Sequence, residues 1–343
     1  MTPSGFPLPQ LLHFGFTRLL DLDTYGPGEK LLWGICFDYR GATFGFEHRK
    51  FGLRALCEPS NLDSPLLQEL LGKARALTDI VEVYLKSGFV AAQITGSHFT
   101  VENLFPRLDA RYRFLRERAE AAYLTPPPAP ETRQTEYGQV TTSDYGRSER
   151  QGGALGTAAV DAYYSRQEHL FCLASAFVMS EPPPGGFLEF LGANWTKKAR
   201  TILDLSDPIT KKFYDRLRGI REEWRNPLAH GGFLSGGGSL HFHVPGVGAL
   251  PARLRRTPAG VKFGFSLQSG SFSEIMKFFD SVDDFLRAGA LYFPIRWAES
   301  GLDVAFDDAN RETYKTAMES EERFNAFLEC SEYEWERHAN MDF

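Results

Sequence analysis

The chain has 343 residues, of which 43% are hydrophobic, 24% charged and 14% aromatic, a composition typical of a soluble globular protein with one large core or two smaller ones. It carries 38 Lys and Arg against 44 Asp and Glu, and the net charge of -6 argues against a protein that coats nucleic acid through its overall field. The sequence contains neither an apolar run of about 18 residues nor a signal-peptide pattern, so we expect a cytoplasmic protein that does not enter a membrane.

The first 124 residues predict a small α+β domain. Three short apolar runs separated by turn residues favour an antiparallel meander, and they cover residues 31–37, 42–47 and 51–57. Apolar residues at helical spacing predict helices from Leu66 to Lys86 and from Val101 to Tyr123. We expect this domain, residues 1–124, to sense or recruit a ligand or partner that the sequence does not identify.

Residues 125–156 contain four prolines, several glycines and few apolar residues, which predicts a flexible linker. A mostly helical domain is then expected over residues 157–298. Its first predicted helix runs from Thr157 to Ser180 and its second from Phe187 to Leu203. A third begins at Pro208, after Asp207 as its N-cap.

The pattern changes to period two between residues 236 and 270, which predicts an inserted β-hairpin at about 238–268 around a turn rich in proline and arginine. Ser271 and Glu274 have the spacing of a capping box for a helix over about 272–290. Residues 299–343 carry 13 acidic against 4 basic side chains, and we expect one acidic helix there, from Asp308 to Arg337.

The third helix ends in the sequence REEWRNPLAHGGF, whose charged and polar residues are not those expected for core packing alone. Asn226 and Pro227 suit a helix junction, so Arg225 and His230 are expected to lie near one another at a backbone hinge. Arg218, Arg221 and Arg225 follow spacings of three and four, which predicts a basic ridge on this helix beside its buried face.

An arginine and a histidine together suit RNA cleavage without a metal or cofactor. The guanidinium matches a phosphate, and an imidazole with a reference pKa of about 6.5 takes and returns a proton near neutrality. The 2'-hydroxyl of RNA is itself the nucleophile, so the protein needs only an acid/base and a cation.

The segment from Arg225 to Gly231, RNPLAHG, resembles the signature of the HEPN superfamily, and the predicted helix with YYSRQEHLFCLASAF is similar to that family's first helix. The resemblance extends from about Thr157 to the helix after the hairpin. It implies a mainly α chain: an antiparallel HEPN-like helical bundle with an inserted hairpin, preceded by the small α+β domain.

The HEPN resemblance also implies a function. Many members are metal-independent endoribonucleases in RNA processing, toxin or antiphage systems, and they dimerise so that two motifs share one cleft. Arg225 would bind the scissile phosphate, His230 would be the acid/base, and Asn226 would be the polar residue beside the arginine. The expected partners are single-stranded RNA and a second copy of the chain. Gly232 stands where some toxins carry a modifiable tyrosine, which argues against control by that modification.

Glu168 is a supporting candidate, together with Arg218 and Arg221. It lies at the edge of the predicted apolar stripe of the first helix, where a carboxylate needs a cation. We expect Arg225 or His230 as its partner, and a surface pair with a lysine or arginine of the second or third helix as the alternative.

Other interpretations remain. One alternative is a non-catalytic HEPN module that binds a nucleotide, RNA or a partner protein. The other is a purely structural dimerisation protein, in which Arg225 and His230 only stabilise the helix junction. His241 and His243 share a strand face, but no further ligand at suitable spacing completes a metal site. The four cysteines, Cys36, Cys57, Cys172 and Cys330, are expected to be buried small hydrophobes.

Overall fold

The computed structural model describes residues 9–126, 128–142, 144, 147–225, 239–257, 260–264 and 271–340. Within these residues the chain is mostly helical, as the sequence predicts, with small antiparallel sheets. It divides into two compact units. The N-terminal unit comprises Met1–Phe99 and Glu319–Phe343, and the central unit comprises Thr100–Met318.

The N-terminal unit contains a four-stranded antiparallel sheet in the order β1-β2-β3-β4. The strands are β1 (Thr24–Tyr25), β2 (Leu31–Tyr39), β3 (Ala42–Arg49) and β4 (Gly52–Cys57). Arg40 and Gly41 both have positive φ, 51° and 80°, as a two-residue hairpin turn between β2 and β3 requires. The predicted meander is therefore confirmed, and β1 extends it.

Four α-helices lie in the described part of the N-terminal unit. They are α1 (Pro9–Phe14), α2 (Pro65–Tyr84), α3 (Val90–Thr95) and α12 (Glu321–Asn340). Ser64 begins α2, since its hydroxyl accepts the Leu67 N–H at 3.2 Å. The core of the unit joins α1, the sheet and α2 through Leu12, Phe16, Trp33, Ile35, Phe44, Phe46, Leu67, Leu70, Leu71 and Ala74.

Eight described helices form the central unit. They are α4 (Phe105–Leu124), α5 (Arg147–Val178), α6 (Gly186–Gly192), α7 (Trp195–Ile202), α8 (Pro208–Ile220), α9 (Phe272–Ala288), α10 (Tyr292–Ser300) and α11 (Asp308–Ala317). Two short strands, β5 (Thr100–Val101) and β11 (Val304–Ala305), pair antiparallel.

Helix α5 is the central element of this unit, and it packs against α4, α7, α10 and α11. Tyr163 and Tyr164 on this helix are fully buried, and the Tyr163 ring stacks on Phe279 of α9 at a centroid distance of 3.7 Å. Burying a large aromatic side chain contributes about 1.5–3 kcal/mol. The predicted apolar stripe therefore forms the core of the unit.

The predicted domain boundary and linker are wrong. Helix α4 belongs to the central unit, and residues 125–156 contain a hairpin of β6 (Glu131–Thr135) and β7 (Gly138–Thr142) as well as the start of α5. The glycines that suggested a loop permit close packing. A Cβ atom on Gly152 would lie 2.7 Å from the Tyr123 ring, so only glycine admits that ring against the helix.

The predicted second helix is divided in two. Asn194 interrupts it, because its side chain accepts the Lys197 N–H at 3.0 Å and so begins α7 anew. The third helix begins as predicted, with the Asp207 carboxylate accepting the Thr210 N–H at 2.8 Å. The capping box of Ser271 and Glu274 at the start of α9 is also confirmed.

The inserted hairpin is a three-stranded sheet in the order β8-β9-β10. Its strands are β8 (Ser239–Val244), β9 (Gly248–Thr257) and β10 (Gly260–Gly264). The segment predicted as a proline- and arginine-rich turn is the middle strand, in which Pro251 lies opposite His241. The prediction was wrong because proline is rare in a central strand and favours turns.

The acidic tail is two helices, and the single predicted helix from Asp308 to Arg337 is wrong. Helix α11 belongs to the central unit and α12 to the N-terminal unit. Phe306 and Phe324, before and after the break, are both fully buried. The tail therefore contributes apolar side chains to the core as well as an acidic surface.

No helix of the described part of the chain is both long enough and apolar enough to cross a membrane. All four cysteines are free. The expected burial is found for Cys172 and is wrong for Cys36 and Cys330, which are exposed. Cys36 follows the fully buried Ile35 along β2, so the alternation of the strand turns it outward.

Candidate functional site

The predicted site begins where α8 ends. Helix α8 continues into a π-helical turn, Arg221–Arg225, whose last residue is the candidate phosphate-binding arginine. Asn226 and His230 lie outside the described residues, as does the side chain of Arg225.

Three helices hold this end of α8. The Tyr164 hydroxyl of α5 donates to the Leu217 carbonyl at 2.7 Å, and both groups are buried. Trp224 in the turn faces Phe272, the first residue of α9, at a ring distance of 6.3 Å. Because these contacts come from separate helices, they hold the turn in place from two sides.

Helix α7 contributes the third contact through Trp195, which is fully buried. Its ring stacks on Tyr214 of α8 at 5.8 Å, and its indole N–H donates to the side-chain oxygen of Gln167 at 3.2 Å. The Arg221 guanidinium lies over the same ring at 5.8 Å and donates to the Thr196 hydroxyl at 3.3 Å. Trp195 therefore joins α5, α7 and α8 immediately before the candidate motif.

The predicted basic ridge has two different environments at its described positions. Arg218 is 46% exposed and lies 3.7 Å from Glu222, in a surface ion pair. Arg221 instead packs against Trp195 and Thr196. Of these two arginines, Arg218 is the one whose charge faces solvent.

Glu168 pairs with Lys198 of α7, at 3.2 Å between its carboxylate oxygen and the Lys198 ammonium. Lys198 lies in the predicted second helix, so the observed contact is the alternative one, a pair with a lysine of that helix, and not the expected pair with Arg225 or His230. The pair is not a surface one, because the Lys198 side chain is only 4% exposed. Loss of the carboxylate would leave a buried cation without its described counter-charge, which destabilises a fold strongly.

His169, next in sequence to Glu168, forms a contact that the sequence did not suggest. Its Nε2 accepts the Leu104 N–H at 2.9 Å, just before α4 begins. Burial, with a smaller effect of the nearby Lys198 cation, lowers the pKa of His169 to about 4. The imidazole is therefore neutral at pH 7, with Nε2 as the acceptor. Sequence spacing gave no signal for this contact because its partners are 65 residues apart.

A buried arginine, Arg166, connects three helices of the central unit. Its guanidinium, 5% exposed, donates to Asp109 of α4 at 2.6 Å and also to Asp283 of α9. It lies against the Tyr112 ring at 4.8 Å and the Tyr163 ring at 4.9 Å. The adjacent cavity of about 10 Å³ has room for about one water molecule. The sequence signal that could have found Arg166 is its position within the apolar stripe of the first predicted helix, where a charged residue needs a partner.

A metal site receives no support. Among the described residues no group of three or more His, Cys, Asp and Glu side chains is arranged to hold a metal ion. His243 is exposed on β8, and the side chain of His241 lies outside the described part.

No protein-family model, curated protein or solved structure matches this chain. Two features of the chain itself bear on its function, namely the sequence that follows Arg225 and the contacts that hold the end of α8.

Proposed function

We propose that this chain is a metal-independent endoribonuclease of the HEPN type, acting on single-stranded RNA in the cytoplasm. The observation that carries the proposal is the sequence RNPLAH directly after a helix end that α5, α7 and α9 hold in place. A catalytic arginine needs such support, because small displacements of a phosphate-binding group cost much of its effect on the reaction.

In the proposed reaction Arg225 binds the scissile phosphate and His230 transfers protons. The 2'-oxygen attacks phosphorus and loses its proton to an imidazole, while the 5'-oxygen of the next nucleotide leaves and receives a proton. The guanidinium stabilises the additional negative charge on the phosphoryl oxygens. The products are a 2',3'-cyclic phosphate and a 5'-hydroxyl, without consumption of water or a metal. Asn226 orients the groups beside the arginine.

A homodimer would supply two copies of this pair, one imidazole as base and the other as acid. Arg218, an exposed cation about two helical turns before Arg225, attracts the RNA backbone, and its effect decreases with added salt. An RNA-degrading activity of this kind fits a role in antiphage defence or as a toxin.

The test is cleavage of a 5'-labelled single-stranded RNA in the presence of EDTA. Wild type should release fragments that end in a 2',3'-cyclic phosphate, and the all-deoxy strand should stay intact. Arg225→Ala and His230→Ala should each lower the rate at least about 100-fold. Arg150→Ala and His98→Ala, at exposed positions outside the proposed site, are the matched controls and should cleave at the wild-type rate.

Three results would contradict the nuclease proposal: wild-type cleavage by His230→Ala, cleavage that EDTA abolishes, or no cleavage by the wild type. Circular dichroism of each variant separates loss of activity from loss of fold. Absent cleavage combined with RNA affinity that Arg225→Ala removes would establish the non-catalytic binding module instead.

A further inference from the structure

The N-terminal unit contains an apolar cavity that the proposed nuclease activity does not use. Its volume is about 510 Å³, within the 300–1,000 Å³ range typical of small-molecule sites. The segment after α1, the end of β2 and the middle of α2 line this open cavity. Phe16, Leu70 and Ala74 form its buried floor, each at most 6% exposed.

Polar groups are confined to one side of this cavity. Of the residues that line it, only Lys73 and Tyr39 carry a polar side-chain atom. The remaining lining is aliphatic or phenylalanine, including Leu22, Phe37 and Leu77. A sugar or a nucleobase would lose its hydrogen bonds to water on entering such a lining, which is costly. A hydrocarbon chain loses none.

The polar side carries an excess of positive charge. Glu69 accepts hydrogen bonds from Arg40 at 3.0 Å and from the Tyr39 hydroxyl at 3.0 Å, while Lys73 lies farther off, at 3.9 Å. Two cations therefore face one carboxylate, which Arg40 already neutralises. The Lys73 ammonium, 58% exposed and 5.7 Å from the Tyr39 ring centre, is the group available to a ligand anion.

The cavity mouth is also apolar. Leu20 is 52% exposed and Ile80 59% exposed, and both line the cavity. Large aliphatic side chains beside a concave apolar surface are typical of a binding site for an apolar ligand. The arrangement thus offers a hydrocarbon-lined space of defined size with a cation at one side.

We propose that this cavity binds a long-chain monocarboxylic acid, with its hydrocarbon chain in the apolar space and its carboxylate beside Lys73. The proposal is independent of the nuclease activity, because every residue it uses lies in the N-terminal unit.

The test is titration of the full-length protein with cis-parinaric acid, an 18-carbon acid whose fluorescence increases in an apolar environment. We expect saturable binding of one probe per chain and displacement by palmitic acid. The uncharged hexadecan-1-ol should compete more weakly, by about two- to five-fold, the range of an exposed charge pair. No saturable binding would overturn the proposal.

Two pairs of variants locate the site. Ala76→Trp places an indole at an exposed position of the lining, and displacing two methylene groups weakens binding about tenfold. Ala91→Trp, an exposed alanine of α3 outside the cavity, should bind as wild type. Lys73→Met should remove the preference for the acid over the alcohol. Lys86→Met, whose lysine pairs with Glu82 as Lys73 does with Glu69, should keep it.

Equal affinities of Ala76→Trp and wild type would show that the probe binds elsewhere and overturn the proposal, as would an unchanged preference in Lys73→Met. Size-exclusion chromatography of the same variants tests the competing occupant, a second copy of the chain. An Ala76→Trp variant that alters only the oligomeric state, with probe binding intact, would assign the cavity to self-association and refute the carboxylate site.

Discussion

Lowering the pH from 7 to 4 should loosen the junction between α4 and α5, because His169 becomes protonated there. The neutral ring accepts the Leu104 N–H, and protonation removes this acceptor beside the Lys198 cation. The folded-state pKa of His169, about 4, lies below the 6.5 of a free imidazole, so the unfolded chain binds the proton first as the pH falls. The stabilisation is complete above about pH 6.5 and is lost towards pH 4.

The size of this effect follows from the two pKa values. Each pH unit between the folded and unfolded pKa is worth about 1.4 kcal/mol, so the difference between 6.5 and about 4 gives roughly 3 kcal/mol. His169 retains some contact with solvent, which screens the charge and reduces the expected loss to about 2 kcal/mol. A loss of this size is a substantial part of the stability of an ordinary domain.

The variant His169→Gln isolates this contribution, since the glutamine side-chain oxygen can accept the Leu104 N–H and does not titrate. Urea unfolding of wild type and variant at pH 7, 6, 5 and 4, followed by tryptophan fluorescence, measures the free energy of unfolding. Hydrogen exchange of peptides from α5 assigns the change to the central unit. Wild type should lose about 2 kcal/mol more than His169→Gln between pH 7 and 4.

His98→Gln, at an exposed position, is the matched control and should keep the pH dependence of the wild type. Burial also lowers the pKa of His13 and His48 in the N-terminal unit, so the difference between wild type and variant is the informative quantity. If His169→Gln and wild type lose equal stability between pH 7 and 4, the assigned role of His169 is refuted.

Two further predictions concern the buried polar groups of the central unit. Arg166→Met should lower the free energy of unfolding by about 3–5 kcal/mol, because it leaves Asp109 and Asp283 without their shared cation. Arg113 is the exposed partner of the same Asp109, so Arg113→Met should lower the free energy of unfolding by less than about 1 kcal/mol. Asn103→Ala should cost about 1–3 kcal/mol, since the buried amide donates to three carbonyls at the end of α10. Urea titrations measure both, and equal effects of the two arginine variants, or an Asn103→Ala variant as stable as wild type, would contradict the interpretation.

Local sequence signals gave the starts of α8 and α9 correctly. Ser64, Asp207 and Ser271 each accept a backbone N–H of the first helical turn, and two of these caps were predicted from residue type and spacing alone. The strands β2, β3 and β4 could also be predicted, since short apolar runs and the turn residues between them are properties of neighbouring residues.

Signals that depend on a distant partner were misread. Gly152 and its neighbours predicted a linker, but they form the part of α5 on which Tyr123 packs. Pro251 predicted a turn and lies in a middle strand. In each case the residue fits two structures, and the choice between them depends on what another segment places against it.

The candidate site shows the same division. Arg225, His230 and the basic residues before them were identified from the sequence, because chemistry at a helix end is carried by adjacent residues. The contacts of Tyr164, Trp195 and Trp224 that hold this helix end were not predicted, because each of them joins the end of α8 to a different helix, α5, α7 or α9. Likewise Glu168 was expected to need a cation, but only the fold determines that Lys198 supplies it.

The sequence by itself therefore determined the mainly helical character, the helix caps at Asp207 and Ser271, and the N-terminal meander, and it supplied the motif on which the proposed function rests. The tertiary structure decided the division into units, the partners of Arg166, Glu168 and His169, and the apolar cavity beside Lys73. The physical reason is distance along the chain. Capping and periodicity act over a few residues, whereas burial, charge pairing and cavity shape arise from residues that meet only after folding.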